Sequence, residues 1–211
     1  MGSKGLTNKI RSFEAAPIYL TLVISLIAGV GMFYSLATQS AQASTSAGAV
    51  IDPPRQLQDF TLTDQTGRLM HLSDLRGRVA LVFFGYTNCP DLCPAAMANF
   101  IVIKKDLGDA APKVAFVFIS VDGKRDTPEV LTHFLAKFDP TFIGLTGSED
   151  TTYQIASDFL VGLMRDPATG ISHSTRALLV DTQGRLRIAY PMDAPPKTVA
   201  AGILNLVNGG S

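Results

Sequence analysis

Residues 79–97, VALVFFGYTNCPDLCPAAM, join an apolar run to the only two cysteines of the 211-residue chain. The run VALVFFGY (79–86) shows no polar alternation and is rich in β-branched and aromatic residues, which is the pattern of a strand buried on both faces of a sheet. The reactive groups that follow are confined to a short loop, with Cys89 and Cys93 each followed directly by a proline. A residue before proline is biased away from the α region, so both cysteines are predicted to be non-helical. Cys93 then becomes the N-cap, with Pro94 in the first position, of a helix running to about Leu107. In that place the positive helix end lowers the pKa of Cys93 in particular.

Working outward, KVAFVFISV (113–121) repeats the doubly buried pattern, and the intervening helix makes a parallel crossover. Upstream, DFTLTD (59–64), Gln65-Thr66-Gly67 and RLMHL (68–72) predict a small hairpin. Downstream, Asp126-Thr127-Pro128-Glu129 supplies caps and an early proline for a helix to about Phe138, and FIGLTG (142–147) gives a short strand. SEDTTYQIASDFL (148–160) reads as a Ser-capped helix and Asp166–Gly170 as a turn. TRALLVD (175–181) and RLRIAYP (185–191) flank Thr182-Gln183-Gly184 as a terminal hairpin, and a last helix covers roughly 196–207. Buried parallel strands joined by helices and closed by a hairpin and helix describe a thioredoxin-like α/β fold with an N-terminal β extension. Its chemistry is expected at the end of the first central strand.

No charged residue occurs between Ala15 and Val50, and Pro17–Ala37 is apolar and long enough, at about 20 residues, to cross a bilayer as a single helix. Lys4, Lys9 and Arg11 precede it, so residues 1–16 are expected in the cytoplasm, 17–37 as an anchor, and the remainder exported. Ala41-Gln42-Ala43 has the form of a cleavage site, and a cleaved signal peptide is the rival reading; the h-region of such a peptide spans only about 7–15 residues, which favours the anchor. Without an Arg- and Ser-rich transit peptide, the location that fits is a bacterial inner membrane with the soluble domain in the periplasm. Residues 38–54 read as a flexible linker reaching roughly 20–25 Å, and 55–211 as one domain. Equal counts of 18 acidic and 18 basic residues point away from nucleic acid as a partner.

Two thiolates on one compact loop either chelate a soft cation or close a disulfide, and their spacing allows both. Softness points to Cu(I) or Zn(II) completed by an imidazole, since hard ions need carboxylates that this loop lacks apart from Asp91. A structural disulfide is common in exported domains, yet a bridge across so short a loop contributes little chain entropy. Of the three histidines, His71 belongs to the β extension and His133 to the helix THFLAKF. His173, in GISHSTRALLV, directly precedes the strand expected beside the thiol loop. Thiol-disulfide oxidoreductases of this fold usually place a cis-proline there; here Ile171-Ser172-His173-Ser174-Thr175 offers an imidazole donor instead.

YTNCPDLCP (86–94), ISVDGKRDTPE (119–129) and HSTRALLVDTQGR (173–185), in that order, resemble the Sco/SenC copper-handling proteins. The resemblance implies that Cys89, Cys93 and His173 bind one copper ion, as Cu(I) or Cu(II), and that the protein helps assemble the dinuclear copper centre of cytochrome c oxidase. It implies as partners the copper-accepting subunit of the oxidase, a copper donor and a thiol reductant. Two positions depart from the family pattern. Ser172 stands where Asp commonly precedes the histidine, removing a carboxylate that could orient the imidazole. Gly123 stands where proline often follows the Ser-Val-Asp triplet. The alternative is a thiol-disulfide reductase or thiol peroxidase acting through the same cysteines. Against it, Val82 and Tyr86 replace the Pro and Thr of the peroxiredoxin pattern, and the C-x-x-C spacing of typical disulfide reductases is absent. Asp122 reads as a turn or cap residue that could line the site, Met97 as a core residue with a thioether to offer, and Phe83 and Phe84 as core.

Overall fold

The computed structural model describes residue 22 and residues 24–33, 48–166 and 170–210, without the side chains of 165, 166, 170, 172 and 173. In chain order the elements from residue 49 are β1 (Ala49–Gln56), β2 (Thr61–Asp64), β3 (Leu69–His71), β4 (Val79–Gly85), α1 (Leu92–Leu107), β5 (Val114–Ser120), α2 (Pro128–Leu135), β6 (Ile143–Thr146), α3 (Glu149–Asp158), β7 (Leu163–Asp166), β8 (Gly170–His173), β9 (Arg176–Val180), β10 (Arg185–Pro191) and α4 (Pro196–Val207). A mixed sheet runs β1-β10-β9-β4-β5-β6-β2-β3, and β7 pairs with β8 separately.

The uninterrupted apolar run of β4 follows from its neighbours. Val79, Leu81 and Phe83 point into a cluster with Met97 and Phe100 of α1, Leu131 of α2 and Ile203 of α4. Ala80, Val82 and Phe84 point the opposite way, toward Ile155 of α3, Phe159 and Leu62 of β2. With both faces dry, neither parity of the strand tolerates a polar side chain, and each large apolar residue contributes about 1.5–3 kcal/mol on full burial. β5 pairs with β4 in parallel from Val79↔Val114 to Gly85↔Ser120, and β6 continues the parallel order with Ile119↔Leu145. β9 runs antiparallel to β4, with Phe83 opposite Ala177. The exits of β4, β5 and β6 and the entry to β9 therefore share one end of the sheet.

Local chemistry sets the connections. Both hairpin turns use one device: Asp64 Oδ1 accepts from the N–H groups of Thr66 and Arg68 at 2.8 and 3.0 Å, and Asp181 Oδ1 from those of Gln183 and Arg185 at 3.0 Å each. Gly67 and Gly184 follow with φ of +83° and +81°, a region that suits glycine. Ser148 caps α3, its Oγ accepting from Thr151 N–H at 3.1 Å, and Thr127 caps α2 in the same way with Pro128 in the first position.

One sequence reading changes. β1 pairs with β10 and takes in Ala49 to Pro54, which had been assigned to the linker 38–54. Its two prolines fall where the register shifts between Val50 and Arg55, an irregularity that an edge strand accommodates. Asp166 and Gly170, the ends of the predicted turn, also end the paired strands β7 and β8, with Leu163 opposite His173 and Asp166 opposite Gly170, while residues 167–169 lie outside the described residues. The chain divides into a unit ending at Ser44 and one spanning Thr45–Ser211. In the first, residues 24–33 are helical, and no helix among the described residues is long and apolar enough to cross a membrane. The rest of the expected anchor 17–37, the segment 1–16 and residues 38–47 of the linker lie outside the described residues.

Phe159 is fully buried, 5.3 Å edge-on from Phe84 and 6.3 Å from Phe60 by ring centroids. Phe159→Ala is expected to cost about 3–5 kcal/mol in equilibrium urea unfolding. A loss under about 1 kcal/mol would show that this face of β4 is not packed as described.

Candidate functional site

β4 ends at Gly85, where a Cβ would lie 2.8 Å from Cys93 Sγ and 2.9 Å from the Phe118 ring. Only glycine fits between strand and thiol. The Gly85 carbonyl accepts from Val121 N–H at 2.8 Å, tying the exits of β4 and β5 together. The chain then turns, with Cys89 N–H donating to the Tyr86 carbonyl at 3.3 Å, and α1 begins at Leu92 with Asp91 as its N-cap. Cys89 is in the loop, as its sequence suggests. Cys93 is not: it sits inside the first helical turn, with Pro94 one residue further on, instead of at the cap. The N–H groups of a first turn have no intrahelical acceptor, so proline costs nothing anywhere in it. Starting the helix at Leu92 lets Cys93 pack fully buried against Gly85.

The two thiols are free and have opposite electrostatics. Burial pushes the Cys89 thiol up, but the N–H groups of Cys93, Asp91 and Leu92 and the Cys93 thiol, all directed at its sulfur, more than offset this, and its pKa is lowered. Cys93 is at 0 % exposure. Burial drives its pKa far upward, the Tyr86 N–H opposes this, and Cys89 and Asp126 push it further up. The helix end thus acidifies Cys89, reversing the expectation for Cys93, because Cys93 lies within the turn and Cys89 lies over its open N–H groups. Tyr86 hydrogen-bonds Cys89 through its hydroxyl, and burial, followed by the neighbouring thiols, raises the phenol pKa.

Asp126 holds the start of the loop. Its Oδ2 accepts from Thr87 N–H at 2.9 Å and from Ser120 Oγ at 2.6 Å, while Oδ1 accepts from Thr87 Oγ1 at 2.6 Å. The sequence offered Asp126 only as a cap, a role that Thr127 fills. Asp122 is the turn residue it was read as: its carbonyl accepts from Arg125 and Asp126 N–H groups, both at 2.9 Å, and its carboxylate pairs with Arg125. A Cβ on Gly123 would stand 1.8 Å from the Gly147 carbonyl oxygen, so the loops after β5 and β6 meet backbone to backbone. Met97, Phe83 and Phe84 are core residues.

His173 closes β8, three residues before β9 enters beside the exit of β4. The base of that arm is tied by Ser174 N–H to the Gly162 carbonyl at 3.0 Å and by Gly162 N–H to Ser174 Oγ at 3.1 Å. Ile171 is buried in the cluster against which Tyr86 packs. The backbone puts His173 at the thiol end of the sheet; the side chains of Ser172 and His173 lie outside the described residues, and among the described ligand candidates Cys89 and Cys93 meet side chain to side chain. His71 Nδ1 shares a hydrogen bond with Thr61 Oγ1 at 2.9 Å on the far edge strand, and His133 Nδ1 bonds the Glu129 carbonyl at 2.9 Å. Among the described residues, no three His, Cys, Asp or Glu side chains converge as a metal site.

A family model for SCO1/SenC matches residues 49–208. A SCO2-like protein of Rickettsia felis is 35% identical over 191 residues, covering 86% of this chain and 93% of its own. The copper-bound structure of Bradyrhizobium japonicum ScoI aligns with a TM-score of 0.66 at 32% identity, covering 72% of this chain and 99% of that one. Copper-bound yeast Sco1 aligns with a TM-score of 0.68 at 27% identity, covering 75% and 91%. The thioredoxin-like α/β fold is shared with these structures.

In the reduced, metal-free protein, iodoacetamide is expected to modify Cys89, with a rate-against-pH midpoint below the ordinary thiol value, because the N–H groups at the start of α1 favour its thiolate. Cys93 should stay unmodified until the protein is unfolded. Peptide mapping that finds both cysteines labelled at similar rates would overturn this assignment.

Proposed function

The chain belongs to the SCO1/SenC family, and on that premise we propose that it is a copper chaperone: it binds one copper ion between Cys89, Cys93 and His173 and serves assembly of the dinuclear copper centre of cytochrome c oxidase. The observation that carries this reading is the pair of free thiols at the exit of β4, Cys89 in the loop and Cys93 in the first turn of α1, with their sulfurs hydrogen-bonded to each other. Copper is the bound ion in the B. japonicum and yeast relatives. Two thiolates suit Cu(I), and an imidazole adds the nitrogen donor that Cu(II) favours. Ser172 before it carries no carboxylate that could orient that imidazole. The proposal includes an anchor at residues 17–37 in a bacterial inner membrane, residues 1–16 in the cytoplasm and the unit from Thr45 in the periplasm, supported by the uncharged run and the basic residues before it.

A second reading, thiol-disulfide reductase, is favoured by the unequal thiols. The Cys89 thiolate would attack a partner disulfide, forming a mixed disulfide and releasing one partner sulfur. Cys93 would then give up its proton and displace the other, leaving a Cys89–Cys93 disulfide and a partner dithiol.

Three measurements separate the readings. Cys89→Ser and Cys93→Ser should each abolish tight Cu(I) binding in competition with a chelator. Since burial keeps the proton on Cys93, coordination by both sulfurs releases it, and apparent copper affinity is expected to rise with pH by about tenfold per unit for that proton. His173→Ala should lose or shift the thiolate-to-copper absorption after one equivalent of Cu(II) while thiol titration stays normal. An unchanged band and affinity would falsify His173 as a ligand, and undiminished disulfide reduction by that variant would favour the reductase reading.

A further inference from the structure

Asp126 is at 0 % exposure, and among the described residues it makes no ion pair with Lys or Arg. A dry carboxylate is costly unless its oxygens are well supplied with donors. Here the donors are Thr87 N–H, Thr87 Oγ1 and Ser120 Oγ, at 2.9, 2.6 and 2.6 Å. None of them belongs to α2, the helix that Asp126 precedes, and the cap of that helix is Thr127. Thr87 lies between Tyr86, which bonds Cys89, and Cys89 itself; Ser120 ends β5 opposite Gly85, which touches Cys93. Every bond of this carboxylate therefore ends on a segment that borders the thiol pair.

We infer that Asp126 is a positioning residue for the thiol pair: by gripping Thr87 through both its N–H and its hydroxyl, it fixes the loop in the arrangement that presents Cys89 above the helix end and keeps Cys93 sealed for uptake of a cation. It touches no cargo and acts through Thr87. The inference rests on the copper reading above for its purpose, and on the hydrogen bonds alone for its geometry.

A merely structural carboxylate would lower thermal stability and leave the folded site unchanged. The test uses the full chain with Asp126→Asn, Thr87→Val and Thr87→Ser, measuring the melting temperature, the iodoacetamide rate at Cys93 in metal-free protein, Cu(I) affinity by chelator competition, and the Cu(II)–thiolate absorption. Thr87→Val removes the hydroxyl donor and keeps the shape. It is expected to weaken Cu(I) binding about 10–100-fold, shift the absorption, and raise the Cys93 alkylation rate by about tenfold or more. Thr87→Ser should stay near the wild type in all three, and Asp126→Asn should move in the direction of Thr87→Val. If Asp126→Asn does not fold, the Val and Ser variants decide alone. Wild-type affinity and Cys93 protection in Thr87→Val, or equal losses in Thr87→Ser, overturn the inference. If the wild type itself binds no Cu(I), the copper reading fails, and the ratio of Cys93 alkylation rates between the Val and Ser variants still decides whether the clamp exists.

Discussion

Because β4 is covered by α1, α2 and α4 on one face and by α3 and the N-terminal β extension on the other, it carries no polar side chain from Val79 to Phe84. The strand can host chemistry only where it leaves the sheet. That exit is Gly85, and everything reactive is arranged around the absence of a side chain there: the buried sulfur of Cys93 fills the space, and the neighbouring carbonyl ties β4 to β5. A core this dry also raises the cost of any ionisable group placed at its edge, and the Asp126 carboxylate at this end accepts three hydrogen bonds.

The thiol pair acquires its asymmetry from the same packing. One sulfur belongs to the core, where desolvation keeps its proton; the other lies over unsatisfied helix N–H groups, which favour its anion. Four residues of sequence separation thus place two identical functional groups in opposite dielectric surroundings, and the first turn of α1 is the boundary between them. Identical chemistry becomes an outer and an inner position without any charged neighbour in the loop having to distinguish them.

Much of the fold was legible in the sequence where a signal is local. The doubly buried strands showed in their composition, α3 in its Ser148 cap, and the two hairpins in their Asp-x-x-Gly-Arg turns, TDQTGR and VDTQGR. What was not legible depends on distant partners. β1 has the small residues and prolines of a linker and becomes a strand only because β10 offers a free edge. β7 and β8 are too short for a periodic pattern and define each other. In the site, the pre-proline rule placed Cys93 at the cap, and packing against Gly85 outweighed that local bias. The cysteines themselves were evident, whereas Asp126 was hidden because its partner Thr87 is 39 residues away and nothing in RDTPE points back to it.

The meeting of Gly123 with Gly147 bears on how this sequence departs from its relatives. With the two backbones in contact, position 123 cannot gain a side chain while the Gly147 carbonyl stays where it is, and a Cβ on Gly147 would meet the Leu62 side chain at 2.6 Å. A side chain at position 123 would therefore require the loop after β6 to shift. Gly123 is thus required by the path of the neighbouring loop, a constraint that belongs to the spacing of two turns and not to the thiol pair.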